Sequence, residues 1–218
     1  MDFIAIDFET ANESSISACE IGIAVVRNNQ LCESRGWLIR PPELRFLPHF
    51  TELHGINADQ VRFERNFKEL WDDLQHYLQG ELLIAHNASF DLIVLASLLR
   101  YYRISFYPVQ YCCSLQLARK VWGSRISGFS LKSLAHTLGI PLDHHRAESD
   151  ARACALITQA VFREFQLTHT QEIESRLHVI PGELSAHRLT FPTFKYAQPP
   201  TTNLSGHTQR KRQHWKKR

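Results

Sequence analysis

Two acidic residues at the end of an apolar run constrain this chain more than any other feature. Residues 3–8 are apolar except for Asp7, and Glu9 follows directly. The run predicts a buried strand, on which side chains two residues apart point to the same face. Ionised carboxylates at the end of a buried strand are costly unless they are paired, hydrogen-bonded or bound to a metal. Asp7 and Glu9 are therefore candidates for a metal or catalytic site.

The remaining pattern predicts an α/β fold. Apolar runs at residues 20–26, 32–39, 82–85 and 109–113 predict four more strands, and Arg27–Gln30 suits a hairpin turn. Helical spacing predicts helices with starts near Asn66, Ser89, Ser114, Ser130 and Ala147. Asn66 with Glu69 resembles a capping box, and Ser89 can cap the helix that follows it. We therefore expect a mixed five-stranded sheet, an antiparallel meander followed by parallel strands, flanked by helices.

Two further acids are predicted to lie close to Asp7 and Glu9. Asp91 lies near the first turn of the helix that begins at Ser89, and Asp150 lies in the first turn of the last helix, five residues after His145. Carboxylates that converge at strand ends and helix starts repel one another, and divalent cations such as Mg²⁺ or Mn²⁺ relieve that repulsion. Two such ions roughly 3.5–4 Å apart suit phosphodiester hydrolysis, with a neutral imidazole as the base.

Each of these residues also has an ordinary structural interpretation. Asp91 and Asp150 suit helix N-termini, where the dipole favours acids. His145 is one of twelve histidines in the chain, and most histidines in proteins have no catalytic role. Singly, the ordinary interpretations are favoured; together, the four acids and the histidine favour a metal-dependent hydrolase.

Three short motifs occur in the order and spacing of one nuclease family. They are Ile6–Thr10, His86–Asp91 and His145–Asp150, with Leu53–Ile56 and Ser130–Leu134 fitting between them. Over about residues 2–165 the chain resembles the DEDDh 3′→5′ exonucleases, which include the proofreading epsilon subunit of bacterial DNA polymerase III.

The resemblance implies an RNase H-like fold and a two-metal mechanism. By similarity, Asp7 bridges two Mg²⁺ or Mn²⁺ ions, Glu9 and Asp150 bind the ion that activates water, and Asp91 holds the second ion. His145 is then the general base. Its neighbour His144 competes for that role, and the family spacing, with four residues between the histidine and the aspartate, selects His145.

The resemblance also implies a nucleotide site and leaves the substrate open. Phe8, Thr10, His54 and Phe90 should lie beside the 3′-terminal nucleotide, where apolar groups stack on a base without reading it. The chain departs from many relatives at Cys113-Ser114 and at Ala11-Asn12, which puts sugar and strand preference in doubt. The subclass with tyrosine in place of histidine is excluded because Arg146 occupies that position.

Three functions fit these motifs. The leading hypothesis is a 3′→5′ exonuclease that acts on single-stranded DNA ends in proofreading or repair, alone or beside a polymerase or another replication protein. The second is an exoribonuclease with the same chemistry. The third is a non-catalytic nucleic-acid-binding module, which the complete set of five candidate residues disfavours.

The charge of the chain is unevenly distributed. Residues 181–218 carry eight Lys/Arg and one acid, a net charge of +7, whereas the rest carries −4. We expect an exonuclease domain at 1–180 and a Pro/Thr-containing, flexible basic tail at 181–218. The basic end consists of Arg210, Lys211, Arg212, Lys216, Lys217 and Arg218. A polyanionic partner and a merely solvated terminus are both consistent with it.

Cysteine usage and hydropathy predict a cytoplasmic protein. The five cysteines form no C-x-x-C pair, so we expect free thiols in a reducing compartment. We also expect no signal region and no membrane association, because the longest apolar stretch is too short to span a bilayer.

Removing residues 205–218 deletes six of the eight Lys/Arg of the tail. We expect weaker binding of single-stranded DNA at low salt and unchanged chemistry, because phosphate neutralisation releases counterions. The slope of log affinity against log salt, measured by fluorescence anisotropy, should become less steep. An unchanged slope would rule out a contribution of the tail.

Overall fold

The computed structural model describes residues 1–186 and 188–195 of the 218-residue chain. The predicted basic end at 210–218 lies outside these residues. The strands described are β1 (Phe3–Thr10), β2 (Ala18–Arg27), β3 (Gln30–Leu38), β4 (Leu83–Ala85), β5 (Val109–Cys113), β6 (Val179–Ile180), β7 (Gly182–Leu184), β8 (Leu189–Thr190) and β9 (Thr193–Phe194). The helices described are α1 (Pro48–His54), α2 (Ala58–Val61), α3 (Phe67–Leu78), α4 (Ser89–Tyr101), α5 (Ser114–Trp122), α6 (Leu131–Leu138), α7 (Ala147–Glu164) and α8 (Gln171–Leu177).

The main sheet confirms the predicted α/β architecture and extends it. Its order is β3-β2-β1-β4-β5-β7-β8, in which β1, β2 and β3 form the antiparallel meander and β1, β4 and β5 run parallel. The sequence predicted five strands and none after Pro181. β7 and β8 instead continue the sheet beyond β5, and β9 pairs with β6. Strands of two or three residues are too short to show an alternating pattern, which is why the sequence did not reveal them.

Local sequence explains most element boundaries. Asn28 and Asn29 both have positive φ, 51° and 58°, which suits the two-residue turn between β2 and β3. Asn66 forms the predicted capping box with Glu69 at the start of α3. The predicted cap at Ser89 is wrong, because α4 is preceded by Ala88 and has no side-chain cap. None of the helices within the described ranges is long and apolar enough to cross a membrane.

β1 is buried on both faces, which accounts for its continuous apolar run. Ile4, Ile6 and Phe8 pack in the core on the side of α3 and α4. Phe3 packs in the core on the side of α7, with its ring 5.6 Å from that of Phe162. Asp7 and Glu9 share the face of Phe3, since side chains alternate along a strand. The two acids therefore point toward the first turn of α7.

A close approach between α7 and β2 depends on Gly22. A Cβ atom at this position would lie 1.9 Å from the carbonyl oxygen of Ala147, the first residue of α7. Gly36, the partner of Gly22 on β3, is less tightly packed, because a Cβ atom there would lie 3.3 Å from the Cβ atom of Glu148. The helix start thus rests directly on the backbone of β2.

Replacing Gly22 with alanine should lower the free energy of unfolding by about 1–3 kcal/mol, because the backbone of α7 must move away from the sheet. Gly36→Ala is the matched control on the neighbouring strand, and it should cost clearly less because its neighbour is a side-chain atom rather than backbone. Urea unfolding followed by circular dichroism measures both. Equal losses in the two variants would contradict the close approach at Gly22.

Candidate active site

The end of β1 and the start of α7 bring three carboxylates together. Asp7 and Glu9 come from the end of β1, and Asp150 comes from the first turn of α7. One oxygen from each of the three lies within 4.8 Å of the others. Glu9 and Asp150 are buried, and Asp7 is half-buried. Three acids this close and this poorly solvated can be ionised together only if a cation compensates their charge.

Asp91 completes the group from the opposite side of β1. It lies in the first turn of α4, is 2% exposed, and accepts a hydrogen bond from the backbone N–H of Phe8 at 3.0 Å. It lines the same cleft as Asp7, Glu9 and Asp150. The structure therefore brings all four predicted carboxylates to one cleft, with Asp91 outside the tight group of three.

Burial raises the pKa of every acid in the group, and repulsion by neighbouring acids adds to it at Asp7, Glu9 and Asp91. Burial is the main cause of a raised pKa of Asp7, and the charge of Asp91 adds to it. Burial, followed by the charge of Asp150, raises the pKa of Glu9 to about 8. Burial raises the pKa of Asp91 to about 7 against the opposing hydrogen bond from Phe8. The arrangement is thus unfavourable to the ionised acids by themselves.

The two oxygens of Asp150 have different surroundings. Oδ2 accepts a hydrogen bond from the backbone N–H of His145 at 3.1 Å and lies 2.9 Å from Nδ1 of His144. Oδ1 is buried and has no hydrogen-bond partner among residues 1–186 and 188–195. A buried carboxylate oxygen without a donor, beside two other carboxylates, fits a hard divalent cation, which prefers oxygen ligands.

The adjacent histidines occupy different positions although their rings stack 3.8 Å apart. Nδ1 of His145 lies 3.7 Å from Oε1 of Glu9, whereas His144 contacts Asp150. The backbone of His145 has a φ of 70°, in the left-handed region that residues other than glycine seldom adopt. Burial and then the neighbouring His144 lower the pKa of His145, which favours the neutral imidazole.

The carboxylates form the floor of a cleft of about 490 Å³, within the usual size of small-ligand sites. Phe8, Thr10 and Phe90 line it, as the sequence predicted, and the side chain of Phe90 is 45% exposed. Phe50 and Leu53 of α1 also line it and were not predicted. Isolated apolar residues in a short helix carry no signal by themselves, although Leu53 begins the recognised Leu53–Ile56 segment and Phe50 precedes it by three residues.

His54 is placed differently from the expectation that it contacts a nucleotide. Its side chain is buried outside the cleft lining, and both ring nitrogens contact backbone. Nδ1 accepts from the N–H of Ile56 at 3.0 Å, so Nε2 carries the proton and donates to the carbonyl oxygen of Thr10 at 3.1 Å. His54 therefore holds α1 against the end of β1.

Glu20 is a buried acid that the sequence reasoning missed. It pairs across the strands with Glu9, and its Oε2 accepts a hydrogen bond from the backbone N–H of Ala147 at 3.0 Å. Arg146 lies 3.6 Å from its other oxygen. Glu20 thus satisfies a free N–H at the start of α7. The signal was present, because Glu20 is an acid at the edge of an apolar run, as Asp7 and Glu9 are.

His86, from the second motif, anchors the far wall of the cleft. Its Nδ1 lies 2.8 Å from the hydroxyl oxygen of Ser114, and its Nε2 lies 3.0 Å from the carbonyl oxygen of Phe129. Burial lowers the pKa of His86 to about 4, so the ring is neutral. Ser114 belongs to the Cys113-Ser114 pair at which the chain departs from many relatives, and here it supports this wall.

Comparison with known families gives a match over most of the described chain. A family model described as Exonuclease (RNase_T) matches residues 4–158. The 3′-5′ exonuclease DinG of Staphylococcus epidermidis is 29% identical over 170 residues, which are 77% of this chain and 19% of that protein. A PolC-type DNA polymerase III of Thermotoga petrophila is 27% identical over 179 residues, 79% of this chain and 13% of that protein. The chain therefore spans less than a fifth of the length of these relatives.

Solved structures confirm the RNase H-like exonuclease fold. Exonuclease X in complex with 5′ overhanging duplex DNA has a TM-score of 0.62 and 24% identity, over 76% of this chain and 94% of that one. The nuclease domain of 3′hExo, a DEDDh family member bound to rAMP, has a TM-score of 0.63 and 17% identity, over 75% of this chain and 92% of that one.

Without divalent cations, raising the pH from about 5 to about 8 should lower the free energy of unfolding. Glu9 and Asp91, with pKa values of about 8 and 7 in the folded chain, ionise near pH 4 when unfolded. The folded state therefore holds more protons across this window, and stability falls as pH rises through the folded pKa values.

Urea unfolding in chelator at several pH values tests this. Asp7→Asn is the control, because it removes one charge of the cluster and should flatten the pH dependence. Adding Mg²⁺ or Mn²⁺ should stabilise the wild type at pH 8 more than Asp7→Asn. Identical pH profiles for the two proteins would refute the repulsion.

Proposed function

Because the chain belongs to the exonuclease (RNase_T) family, we propose that it is a 3′→5′ exonuclease that releases nucleoside monophosphates from the 3′ end of DNA. The observation that carries the proposal is the cluster of Asp7, Glu9 and Asp150 oxygens within 4.8 Å, with Asp91 in the same cleft. A cluster of this kind suits metal-assisted displacement at a phosphate.

We propose that the carboxylates hold two divalent ions, Mg²⁺ or Mn²⁺. Asp7 would contact both, Glu9 and Asp150 the first, and Asp91 the second. When bound, such ions supply a nucleophilic water and neutralise the charge that develops on the scissile phosphate. The raised pKa values of the acids and the unpartnered Oδ1 of Asp150 support this assignment.

His145 is the proposed general base. A base must be neutral and within reach of the proton that it accepts. The pKa of His145 is lowered by burial, and its ring lies beside Glu9 at the open side of the carboxylates. His144 instead orients Asp150, so the adjacent histidines divide the work of proton transfer and positioning.

The terminal nucleotide is proposed to lie between the carboxylates and an apolar wall. Phe90 and Leu53 offer exposed apolar surface for the base, with the half-buried Phe50 beside them, and Phe8 and Thr10 form the adjoining strand end. Such surfaces stack on any base, which suits an enzyme that removes nucleotides in succession. His54 contributes by holding Thr10 rather than by touching the nucleotide.

DNA is the proposed substrate, in proofreading or repair and in company with a polymerase or another replication protein. The relatives named a 3′-5′ exonuclease and a DNA polymerase III support it. An exoribonuclease is the second candidate, because the solved 3′hExo domain is bound to rAMP.

We propose residues 1–180 as the catalytic unit, to which β7 and β8 add two strands at the edge of the sheet. The basic end at 210–218 is proposed as a nucleic-acid contact.

None of the five cysteines, all within the described residues, forms a disulfide, which supports a reducing compartment such as the cytoplasm.

The central test digests 5′-labelled single-stranded DNA and matched RNA with Mg²⁺ or Mn²⁺. We expect a ladder shortened from the 3′ end with wild type and none with Asp7→Ala or with chelator. His145→Gln should lower kcat by about 10²–10⁴-fold, the usual contribution of a general base. His144→Gln is the matched neighbour, and its loss should be smaller and partly offset by higher metal concentration.

The nucleic acid that the wild type digests faster decides between DNA and RNA as the substrate. Equal losses in the two histidine variants would refute the assignment of the base to His145. A folded wild type that binds both nucleic acids and cleaves neither would favour the non-catalytic binding module.

A further inference from the structure

A second groove lies at the other end of α4. It has a volume of about 290 Å³ and lies between the end of α4, the segment after it and the β7–β8 turn. Its charged residues are three arginines, Arg100, Arg103 and Arg188, and no acidic residue lines it. Leu99, Ile104, Phe106, Leu184 and Leu189 supply an apolar lining.

These arginines differ from most others in the chain. Eight arginines form ion pairs with carboxylates: Arg27, Arg40, Arg45, Arg62, Arg65, Arg125, Arg146 and Arg176. Within residues 1–186 and 188–195, the side chains of Arg100, Arg103 and Arg188 have no ion pair, hydrogen bond or aromatic ring as a partner. All three are exposed. The helix dipole accounts for Arg100 in the last turn of α4, but not for Arg188, which lies on a different element.

The groove is connected to the active-site cleft by the solvent side of α4. Phe90 lines both the active-site cleft and a smaller cavity beside it, which Ile93 also lines. Ile93, Ala96, Ser97 and Arg100 follow at helical spacing and are at least partly exposed. Nine residues separate Asp91 from Arg100, or about 14 Å along the helix. A strand with its end at Asp91 can therefore reach the arginines within a few nucleotides.

From this arrangement we propose that the arginine groove binds the phosphodiester backbone of the same single strand whose 3′ end lies in the active site. Guanidinium groups bind phosphate oxygens in a fixed fork geometry, and the apolar lining suits a sugar or base. The proposal rests on the proposed function for the identity of the strand, whereas the groove itself is defined by its arginines.

Arg100→Glu and Arg188→Glu test the groove from two separate elements. Lys68→Glu is the control, since it makes the same charge change at an exposed position of α3 outside the groove. Binding of a labelled oligodeoxythymidine of about 15 nucleotides is measured by anisotropy in chelator over a salt series. We expect each arginine variant to weaken binding several-fold more than Lys68→Glu does, and to reduce the salt slope by roughly 0.7 per lost phosphate contact. Thermal unfolding verifies that each variant is folded.

A second measurement uses the exonuclease reaction. In the wild type, KM should fall as the substrate lengthens from about 4 to about 15 nucleotides, since only the longer strand reaches the groove. That advantage should shrink in Arg100→Glu and Arg188→Glu and persist in Lys68→Glu.

The outcomes separate the two proposals. Equal binding by the arginine variants and the control overturns the groove, whether or not the wild type cleaves. Weaker binding by the arginine variants with a wild type that does not cleave leaves the groove in place and overturns the exonuclease. An acidic protein as the true occupant would appear as oligonucleotide binding that neither arginine variant changes.

Discussion

The close contact between the start of α7 and the backbone of β2 is the constraint on which the site depends. Gly22 allows Ala147 to rest against the strand, and Glu20 accepts the N–H of the same residue. Asp150 follows Ala147 by three residues, within the first turn of the helix. The contact therefore sets the distance between Asp150 and the strand that carries Asp7 and Glu9. A small displacement of this helix start would move one carboxylate away from the other two.

This contact acts against electrostatic repulsion. The pKa values of Asp7, Glu9 and Asp150 are raised, which means that folding places the carboxylates where their ionised forms are disfavoured. The apolar packing of α7 on the sheet, with Phe3 against Phe162, must supply the compensating free energy. Such a site is preorganised, because the acids do not need to be gathered when a cation arrives. The clustered acids lower the stability of the folded chain, but they are already in position to bind a cation.

The features that could be predicted from the sequence are those with a strong local pattern. The acids at the end of the β1 run, the capping box at Asn66 and the long last helix could all be predicted, because each depends on neighbours in the chain. β7 and β8 could not, because strands of two or three residues have no period of their own and are held by pairing, β7 with β5 and β8 with β7.

The roles of side chains at the site could likewise be predicted only where they depend on nearby residues in the chain. His54 looked like a nucleotide contact because it lies in a recognised segment, yet both ring nitrogens are used by backbone groups from two different segments. Glu20 was passed over because its partner, Ala147, is 127 residues away in the chain. The acid at the edge of an apolar run was visible in the sequence, but its contact with Ala147 is decided by tertiary packing and cannot be identified from neighbouring residues.

α4 links the two charged regions of the molecule through its own electrostatics. An acid in the first turn and an arginine in the last turn both agree with the helix dipole, although burial still raises the pKa of Asp91. The side chain of Asp91 places negative charge at the start of the helix, beside the proposed metals. The side chain of Arg100 places positive charge at the other end, about 14 Å away. A polyanionic strand laid along it would meet cations at both ends, the proposed metal ions at one and guanidinium groups at the other. The charge placement that suits a stable helix thus coincides with the placement that binding a nucleic acid along α4 requires.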